Sequence, residues 1–399
     1  PFVQRVRWFN SVIELDRQRL GLDVTDPVSM LMGWGMNHNN TRQVATISRE
    51  NVLEDAYNSF NPIGESFKAK LGVTFINEFG QEAGIDGGGI TKEFLTSVSD
   101  EGFKNEKYRL FVENSEHELY PSSRIKSPIH LKYLWFMGKV LGKCLYEQVL
   151  IDVTFADFFM KKILKNEQNY HSSFDDLASL DQELYSNLVK LLDMRQDEID
   201  ALELHFEITD DDTKTSVELV PNGSDKRVTK ANIFQYVLCV ADYKLNRKLY
   251  RPTLYFQRGL SAMIPSHWIE MFNSVELQML ISGGSRDIDL EDLKASTQCG
   301  GYLENDKTVV QLWEILAEFT PQQRFKFIKF VTSVPRAPLQ GFAALNPHFG
   351  IRNAGREIDR LPTASTCVNL LKLPDYKDKN LLKQKLLYAI NAEARFDLS

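Results

Sequence analysis

Apolar residues recur at steps of three and four over several stretches of the chain, the spacing that places them on one face of a helix. The longest such stretch, Ile129 to Val149, predicts a core helix. Shorter stretches from Val52 to Phe60, Gln322 to Thr332 and Leu381 to Ala392 predict further helices. Leu71 to Phe79 instead alternate between apolar and polar, which predicts a strand. The pattern therefore indicates a chain that mixes helices and strands.

The pattern changes between Asp152 and about Val237, where polar loops and acidic residues interrupt the helical spacing. Within it, Leu204 to Ile208 and Ser216 to Val220 predict a pair of strands. We interpret this region as a smaller subdomain inserted into a helical domain.

Helical spacing returns over Lys230 to Leu260 and Trp268 to Leu280, and a glycine-serine break from Gly283 to Arg286 follows. Short segments of this composition let flanking domains rotate. The alternative is that the glycines only terminate a helix. Beyond the break, Asp306 is the predicted N-cap of another helix.

Net charge, hydropathy and cysteine spacing argue against several classes of function. The net charge of -7 argues against non-specific nucleic-acid binding, which requires a basic surface. The most apolar stretch is interrupted by Lys139, Lys143 and Glu147, so no membrane span is expected. The four cysteines show no metal-ligand spacing, which favours reduced thiols in the cytosol or nucleus. Because residue 1 is Pro rather than Met, we expect a piece of a longer protein.

The cysteines differ in their surroundings. Cys144 and Cys239 lie in apolar helical runs, so both are predicted to be buried. Cys299 precedes two glycines, and its role stays open. Cys367 follows Pro362 and several hydroxyl residues, which predicts a loop and an accessible thiol. Accessibility and thiolate character are what make a cysteine nucleophilic, so Cys367 is the candidate nucleophile.

Chain order tests several cysteine chemistries. No histidine follows Cys367, which disfavours a papain-like or ubiquitin-hydrolase arrangement. His267 and His348 precede it, as in a caspase-like order, but the residues flanking the cysteine lack that family's signature. A phosphatase loop would need an arginine at position 373, which is Leu. Exchange of an acyl group between thioesters remains, because that step is nearly neutral energetically and depends mainly on positioning.

The segment Leu361 to Pro374 resembles the active-cysteine segment of HECT-type ubiquitin-protein ligases. The likeness extends from about Val44 to Ser399, and within the family it is greatest to the branch that acts at the proteasome and extends ubiquitin chains. Further landmarks of the family occur in the same order along the chain: Ile85 to Gly89 with Glu93 and Phe94, Gly138 to Lys143, Asp242 to Asn246, Gly300 to Tyr302, and Arg336 to Leu339.

The resemblance implies an α+β, bilobal fold. Residues 45–282 would form a mainly helical N-lobe in which about 152–237 make the subdomain that binds the conjugating enzyme. Gly283, Gly284 and Ser285 would belong to a hinge over 283–286, and 287–399 would form a smaller α/β C-lobe. Residues 1–44 lie before the resemblance; their apolar residues among charges, such as Trp8, Phe9 and Ile13, predict an N-terminal helical extension.

The resemblance also implies roles for single residues. Cys367 would carry ubiquitin as a glycyl thioester, with Thr366 near the thioester carbonyl, Phe396 anchoring the tail and Asp397 helping to deprotonate the incoming lysine. Ser365 stands where the family usually has His, and Val368 where it has Phe, so no role is carried over to these two side chains. The apolar residues that would dock the conjugating enzyme, or else form the subdomain core, are Leu177, Leu180, Tyr185, Leu188 and Leu192.

The implied partners are ubiquitin, a ubiquitin-conjugating enzyme, protein substrates and the proteasome, with no metal or organic cofactor. The expected activity is that of a ubiquitin transferase that extends chains for proteasomal degradation. Two other readings stay open: a cysteine hydrolase with His348 as its base, and a non-catalytic adaptor of the ubiquitin pathway.

Overall fold

A computed structural model describes residues 1–22, 43–78, 80–82, 89–165, 171–284 and 287–392. The strands are β1 Gln43–Ser48, β2 Leu71–Asn77, β3 Gly80–Gln81, β4 Phe111–Glu113, β5 Leu119–Pro121, β6 Glu207–Thr209, β7 Ser216–Glu218, β8 Gln298–Gly300, β9 Gly350–Asn353, β10 Thr363–Ser365 and β11 Leu370–Leu373. The α-helices are α1 Phe2–Arg19, α2 Val52–Phe60, α3 Gly89–Lys104, α4 Pro128–Glu147, α5 Asp157–Leu164, α6 Leu177–Leu180, α7 Gln182–Asp193, α8 Gln196–Ala201, α9 Ile233–Asp242, α10 Tyr250–Ser261, α11 Ser266–Ile269, α12 Ser274–Ser282, α13 Leu290–Ala295, α14 Lys307–Glu318, α15 Pro321–Thr332 and α16 Lys379–Asn391.

The predicted core helix is confirmed as α4. Pro128 begins it, a position where the missing N–H of proline costs nothing. Gln148 follows its end with φ of 55°, the left-handed conformation that commonly terminates helices. Leu134, Leu141 and Cys144 on its apolar face are buried, as the periodicity predicts.

The predicted helical group from Lys230 to Leu260 is divided. α9 ends at Asp242, a π-helical turn covers Tyr243–Arg247, and α10 begins at Tyr250. Pro252 lies in the first turn of α10, where a proline is tolerated because the first backbone N–H groups of a helix have no partner within it.

The chain divides into two compact units, and the second comprises Asp100–Gly142 and Val153–Gln278. Its core contains an aromatic cluster around Phe256, whose ring centroid lies 5.4 Å from that of Phe159 and 5.6 Å from that of Phe111. α4 and α10 cross in close contact here. A Cβ atom on Gly259 would lie 1.7 Å from the carbonyl oxygen of Trp135, so only glycine permits this approach.

An antiparallel pair, β6 and β7, also belongs to the second unit and confirms the predicted strand pair. Beside it, the carboxylate of Asp210 is buried and accepts a hydrogen bond of 2.6 Å from the hydroxyl of Tyr243. Lys248 lies 3.0 Å from Asp210 and 2.8 Å from Asp212, so one ammonium bridges two carboxylates.

The first unit comprises Pro1–Ser99, Lys143–Asp152 and Met279–Ser399. In its N-terminal part, β1 pairs in parallel with β2, and α1 buries Phe9 and Ile13. Asp16 of the same helix is buried with Lys68, their side chains 2.7 Å apart. This pairing provides each buried charge with the opposite charge that it needs.

A four-stranded sheet in the order β10-β11-β9-β8 forms the centre of the C-terminal part of this unit. β9 runs parallel to both β8 and β11, while β10 is antiparallel to β11. Leu371 and Leu373 of β11 are buried and alternate with more exposed neighbours. They pack in an apolar core with Leu312, Phe327 and Leu386 of the surrounding helices.

The combination of helices with these sheets confirms the predicted α+β class. The predicted limits of the lobes and of the inserted subdomain stay a prediction. None of the helices in the described part of the chain combines the length and apolar character that a bilayer crossing requires.

Candidate active site around Cys367

Cys367 lies on the tight connection between two antiparallel strands. β10 ends at Ser365 and β11 begins at Leu370, which is its partner in the ladder. Thr366–Val368 form a single turn of 3₁₀ helix, and Asn369 completes the connection in the left-handed conformation with φ of 51° and ψ of 40°. A helical turn followed by a left-handed residue is a common way to close a short hairpin. The connection leaves the Cys367 side chain half-buried.

Asn369 holds this turn in place. It is fully buried, and its side-chain amide donates a hydrogen bond of 2.5 Å to the carbonyl oxygen of Pro347. Its backbone carbonyl accepts a hydrogen bond of 2.9 Å from the backbone N–H of Gly350. Asparagine adopts the left-handed conformation more readily than most residues, so the turn and its anchor depend on one side chain.

Lys92 of α3 reaches the same turn from another part of the sequence. Its ammonium donates hydrogen bonds of 3.0 Å to the carbonyl oxygens of Thr332 and Thr366, and a further one to Oδ1 of Asn369. Lys92 is buried, and burial lowers its pKa to about 8, although the nearby Cys367 thiolate acts in the opposite direction.

Glu93, the next residue on α3, is an acidic residue whose charge acts on the thiol. Its carboxylate forms an ion pair with Arg49, whose guanidinium also lies 2.7 Å from the carboxylate of Glu82. Arg49 therefore compensates part of the negative charge that faces Cys367.

These groups determine the acidity of the candidate nucleophile. Burial raises the pKa of the Cys367 thiol, Glu93 raises it further, and Lys92 together with the backbone N–H groups of Cys367 and Val368 lowers it. The net direction is upward. By comparison, burial raises the pKa of Cys144 to about 12, which agrees with its predicted place in the core. Cys239 was predicted to be buried as well, but it is half-buried because α9 exposes part of that face.

The histidine that a hydrolase would use as its base is His348. His348 is exposed, and among the described residues it makes no hydrogen bond with Cys367. Thr366 contributes its backbone carbonyl to the network around Lys92.

The predicted hinge is described only in part. Gly283 follows α12 with φ of 88°, and a Cβ atom there would lie 2.7 Å from the carbonyl oxygen of Ala337. That carbonyl accepts a hydrogen bond of 3.1 Å from the backbone N–H of Gly284. Ser285 lies outside the described residues. Gly283 therefore has a local structural role, and rotation about the segment stays a prediction.

The residues predicted to dock a conjugating enzyme lie in the second unit and differ in exposure. Leu177 and Leu188 are buried, which favours the alternative that they form the subdomain core, whereas Leu180, Tyr185 and Leu192 are half-buried. Of this set, only the half-buried side chains present surface to a partner.

Two neighbouring apolar residues escaped the sequence analysis. Phe234 and Leu238 of α9 are 66% and 57% exposed, one helical turn apart on the same face. α9 packs against α7, on which Val189 is also exposed. The sequence feature that could have revealed them is that α9 is apolar on more than one face. A helix needs a second apolar face only when that face also meets a partner.

Several predicted positions fall outside the described residues. These are the tail residues Phe396 and Asp397 and most of the glycine turn before α3, residues 83–88.

A cavity of about 310 Å³ lies in the first unit, with Lys92, Thr332 and Asn369 in its wall. Over the described ranges, no group of three or more His, Cys, Asp or Glu side chains could hold a metal ion.

The sequences of known proteins are similar to that of this chain over its whole length. The chain is 60% identical to the E3 ubiquitin-protein ligase HUL5 of Saccharomyces cerevisiae, over 100% of the chain and 44% of that protein. It is 40% identical to the E3 ubiquitin-protein ligase UPL6 of Arabidopsis thaliana, over 100% of the chain and 38% of that protein. Identity to the human ubiquitin-protein ligase E3B is 36%, over 100% of the chain and 39% of that protein. The chain thus spans less than half the length of these relatives.

The family described as HECT-domain (ubiquitin-transferase) matches residues 96–399, which include Cys367 and its turn. This match confirms the resemblance that the segment around Cys367 indicated. The chain belongs to the HECT-domain (ubiquitin-transferase) family.

Proposed function

We propose that this chain is a ubiquitin-protein ligase that accepts ubiquitin as a thioester on Cys367 and transfers it to a lysine amine. The observation that carries the proposal is the placement of Cys367 on an anchored four-residue turn, within the segment that resembles the active-cysteine segment of the family. A nucleophile on such a turn can meet a reactant outside the protein while the strands on either side fix its position.

The reaction has two balanced steps. The Cys367 thiolate attacks the thioester carbonyl of a charged conjugating enzyme; a new bond forms between sulfur and carbonyl carbon, and the enzyme's cysteine leaves as a thiolate. A neutral lysine amine then attacks the Cys367 thioester. The amide bond forms, the Cys367 thiolate leaves, and the proton lost by the amine passes to a base or to water. Because the first step exchanges one sulfur leaving group for another, it needs positioning more than a strong base.

The exposed apolar face of α9 supports a docking site for the conjugating enzyme. Phe234 and Leu238 offer aromatic and aliphatic anchors of the kind found at interface centres. The half-buried Leu180, Tyr185 and Leu192 belong to the same unit. We infer that the conjugating enzyme uses both groups, while Leu177 and Leu188 support them from the core.

The finer parts of the proposal rest on the family resemblance. Phe396 anchors the tail during transfer to lysine, Asp397 assists deprotonation of the amine, Thr366 contacts the thioester, and the Gly283 to Ser285 segment lets Cys367 face two reactants in turn. The products are extended ubiquitin chains that direct substrates to the proteasome, in the cytoplasm or nucleus.

A single-turnover transfer assay tests the proposal. The chain is mixed with a conjugating enzyme charged with labelled ubiquitin, and the reaction is resolved with and without reducing agent. We expect an adduct of chain and ubiquitin that a thiol reductant removes, that is absent in Cys367→Ala, and that becomes resistant to thiols in Cys367→Ser because an oxyester forms.

Cys299→Ser is the matched control, because Cys299 is also half-buried and belongs to the same unit. Its adduct should equal that of the unmodified chain. An adduct that persists in Cys367→Ala would refute the assignment. Binding of the conjugating enzyme without any adduct would support an adaptor, and cleavage of ubiquitin conjugates would support a hydrolase.

A further inference from the structure

The ammonium of Lys92 has three N–H donors, and three oxygen atoms receive them. These are the carbonyl oxygens of Thr332 and Thr366, each at 3.0 Å, and Oδ1 of Asn369. A buried ammonium is costly unless each donor finds an acceptor, and Lys92 meets this condition. Its position is therefore determined by the two elements that supply the acceptors.

One acceptor lies at a helix end. Thr332 is the last residue of α15, where carbonyl groups have no partner within the helix and the helix dipole is negative. A cation at this place is favoured by both effects. Lys92 thus joins the end of α15 to the turn that carries Cys367.

The second acceptor belongs to the peptide bond that precedes the nucleophile. When Lys92 bonds to the carbonyl oxygen of Thr366, it polarises the peptide unit whose N–H belongs to Cys367. That N–H favours the thiolate. Lys92 therefore acts on the thiol in two ways: directly through its charge, and through the peptide group that joins Thr366 to Cys367.

The cationic side chains of α15 bond to other groups. On α15, which packs against the turn, Arg324 bonds to the carbonyl of Leu316, Lys326 to Asn391 and Lys329 to Asp152. Glu93 opposes the thiolate and is itself paired with Arg49. Lys92 is the cation whose charge lowers the pKa of the Cys367 thiol.

We propose that Lys92 is a positioning residue for Cys367: its buried ammonium fixes the nucleophile turn against α3 and α15 and provides the positive charge that favours the thiolate. This inference extends the proposed ubiquitin transfer, in which Cys367 is the nucleophile. The alternative is a lysine that only stabilises the fold, and the two differ in their effect on the acidity of the thiol.

The test measures how fast iodoacetamide alkylates Cys367 in the full chain as a function of pH, with peptide mass spectrometry to identify the modified cysteine. Only the thiolate reacts, so the midpoint of the rate profile reports its acidity. Lys92 keeps its charge below its pKa of about 8. In Lys92→Met and Lys92→Gln we therefore expect the profile below that pH to shift upward by about one pH unit and its midpoint to rise, the size of effect that a nearby charge produces. Alkylation at pH 7 then slows by roughly tenfold, while the rates converge at alkaline pH.

Lys92→Arg retains the positive charge and should keep the alkylation rate of the unmodified chain at pH 7. Lys329→Met removes the same charge from the exposed surface of α15 and should leave the profile unchanged. Gln keeps a hydrogen-bond donor that Met lacks. A shift of the midpoint in both variants is therefore due to the lost charge and not to the lost hydrogen bonds.

An unshifted midpoint in folded Lys92→Met or Lys92→Gln, or equal slowing at every pH, overturns the inference. Loss of folding in both variants also overturns it, because the lysine is then a structural residue. Alkylation requires no ubiquitin. A shifted midpoint together with no thiol-sensitive adduct in the unmodified chain would therefore retain the role of Lys92 and reject the proposed transfer instead.

Discussion

The side-chain amide of Asn369 donates a hydrogen bond to the carbonyl oxygen of Pro347, which ties the residue that closes the Cys367 turn to the loop that precedes β9. The Oδ1 atom of the same side chain accepts a hydrogen bond from the ammonium of Lys92. A single buried amide therefore links three segments that are distant in sequence.

Replacing this amide should weaken both the fold and the site. We expect Asn369→Gly, which keeps the left-handed conformation, to lower the free energy of unfolding by about 1–3 kcal/mol because buried polar partners lose their bonds. Asn369→Ala should cost roughly a further 1–2 kcal/mol for the left-handed backbone. Urea denaturation measures both. A glycine variant as stable as the unmodified chain would show that the bonds to Pro347 and Lys92 contribute nothing.

The two glycines after α12 should respond differently to alanine. Gly283→Ala places a Cβ against the carbonyl of Ala337 at a φ of 88°, so we expect a loss of roughly 1–3 kcal/mol. Gly284→Ala meets its nearest atom, Cδ2 of Leu339, at 3.8 Å, and should change stability by less than about 0.5 kcal/mol. Thermal unfolding of the pair provides the comparison, and equal effects would contradict the geometry.

This difference also determines how the hinge can be tested. Proline at Gly283 would be strained whatever the segment does, because proline cannot adopt a positive φ. Gly284→Ala is the informative variant: slowed transfer with unchanged stability would support a hinge.

The acidic cluster of the second unit should make stability depend on pH. Burial alone would raise the pKa of Asp210, but hydrogen bonds from Tyr243, the backbone of Thr213 and Lys248 outweigh it and hold that pKa well below the usual range. Burial would likewise raise the pKa of Asp212, but hydrogen bonds from Arg124 and Lys248 outweigh this effect and lower that pKa to about 2.

The direction in which stability changes with pH follows from proton binding. The folded chain binds fewer protons at these carboxylates than the unfolded chain, whose aspartates titrate near pH ~4. Their stabilisation is complete above that pH and is lost as the pH falls through the folded values. We expect urea midpoints to drop between about pH 4 and pH 2, and to drop less in Asp210→Asn. Asp193→Asn, an exposed carboxylate, should retain the full dependence; an Asp210→Asn variant with the same slope would rule out this origin.

The exposed face of α9 should determine recruitment of the conjugating enzyme. Phe234→Ala and Leu238→Ala remove anchors without opening the core, so stability should stay within about 0.5 kcal/mol. Thioester formation at subsaturating conjugating enzyme should fall roughly tenfold, as for an interface hot spot. Tyr250→Ala is the control, since this side chain on α10 is 61% exposed in the same unit. Unchanged transfer in both α9 variants would show that the partner docks elsewhere.

Local patterns were sufficient to predict much of the fold. The periodicity of Leu134, Leu141 and Leu145 identified α4, and the alternation after Leu71 identified β2, because these signals depend only on which face of one element is buried. The turn around Cys367 was also predicted, although Pro362 and Thr363 to Ser365, which suggested it, lie before or in β10, and of the hydroxyl residues only Thr366 belongs to the turn. Each of these features is encoded by neighbours in sequence.

Lys92 and the α9 face could not be found in the same way. Lys92 and Asn369 are 277 positions apart, and one sequence contains no signal that pairs them. Phe234 resembles any core aromatic until its 66% exposure is known. The buried Leu177 and Leu188 show the opposite case, since periodicity cannot distinguish a core leucine from a docking leucine.

The short connection between β10 and β11 has a consequence for insertions and deletions. Its ends are fixed by the pairing of Ser365 with Leu370, and strand side chains alternate between faces at every residue. One added residue would either bulge the turn away from Lys92 or shift β11 by one position and turn Leu371 and Leu373 out of the core. The nucleophile turn is therefore constrained in length as strictly as in composition, and its geometry would be lost to an insertion that spared every functional side chain.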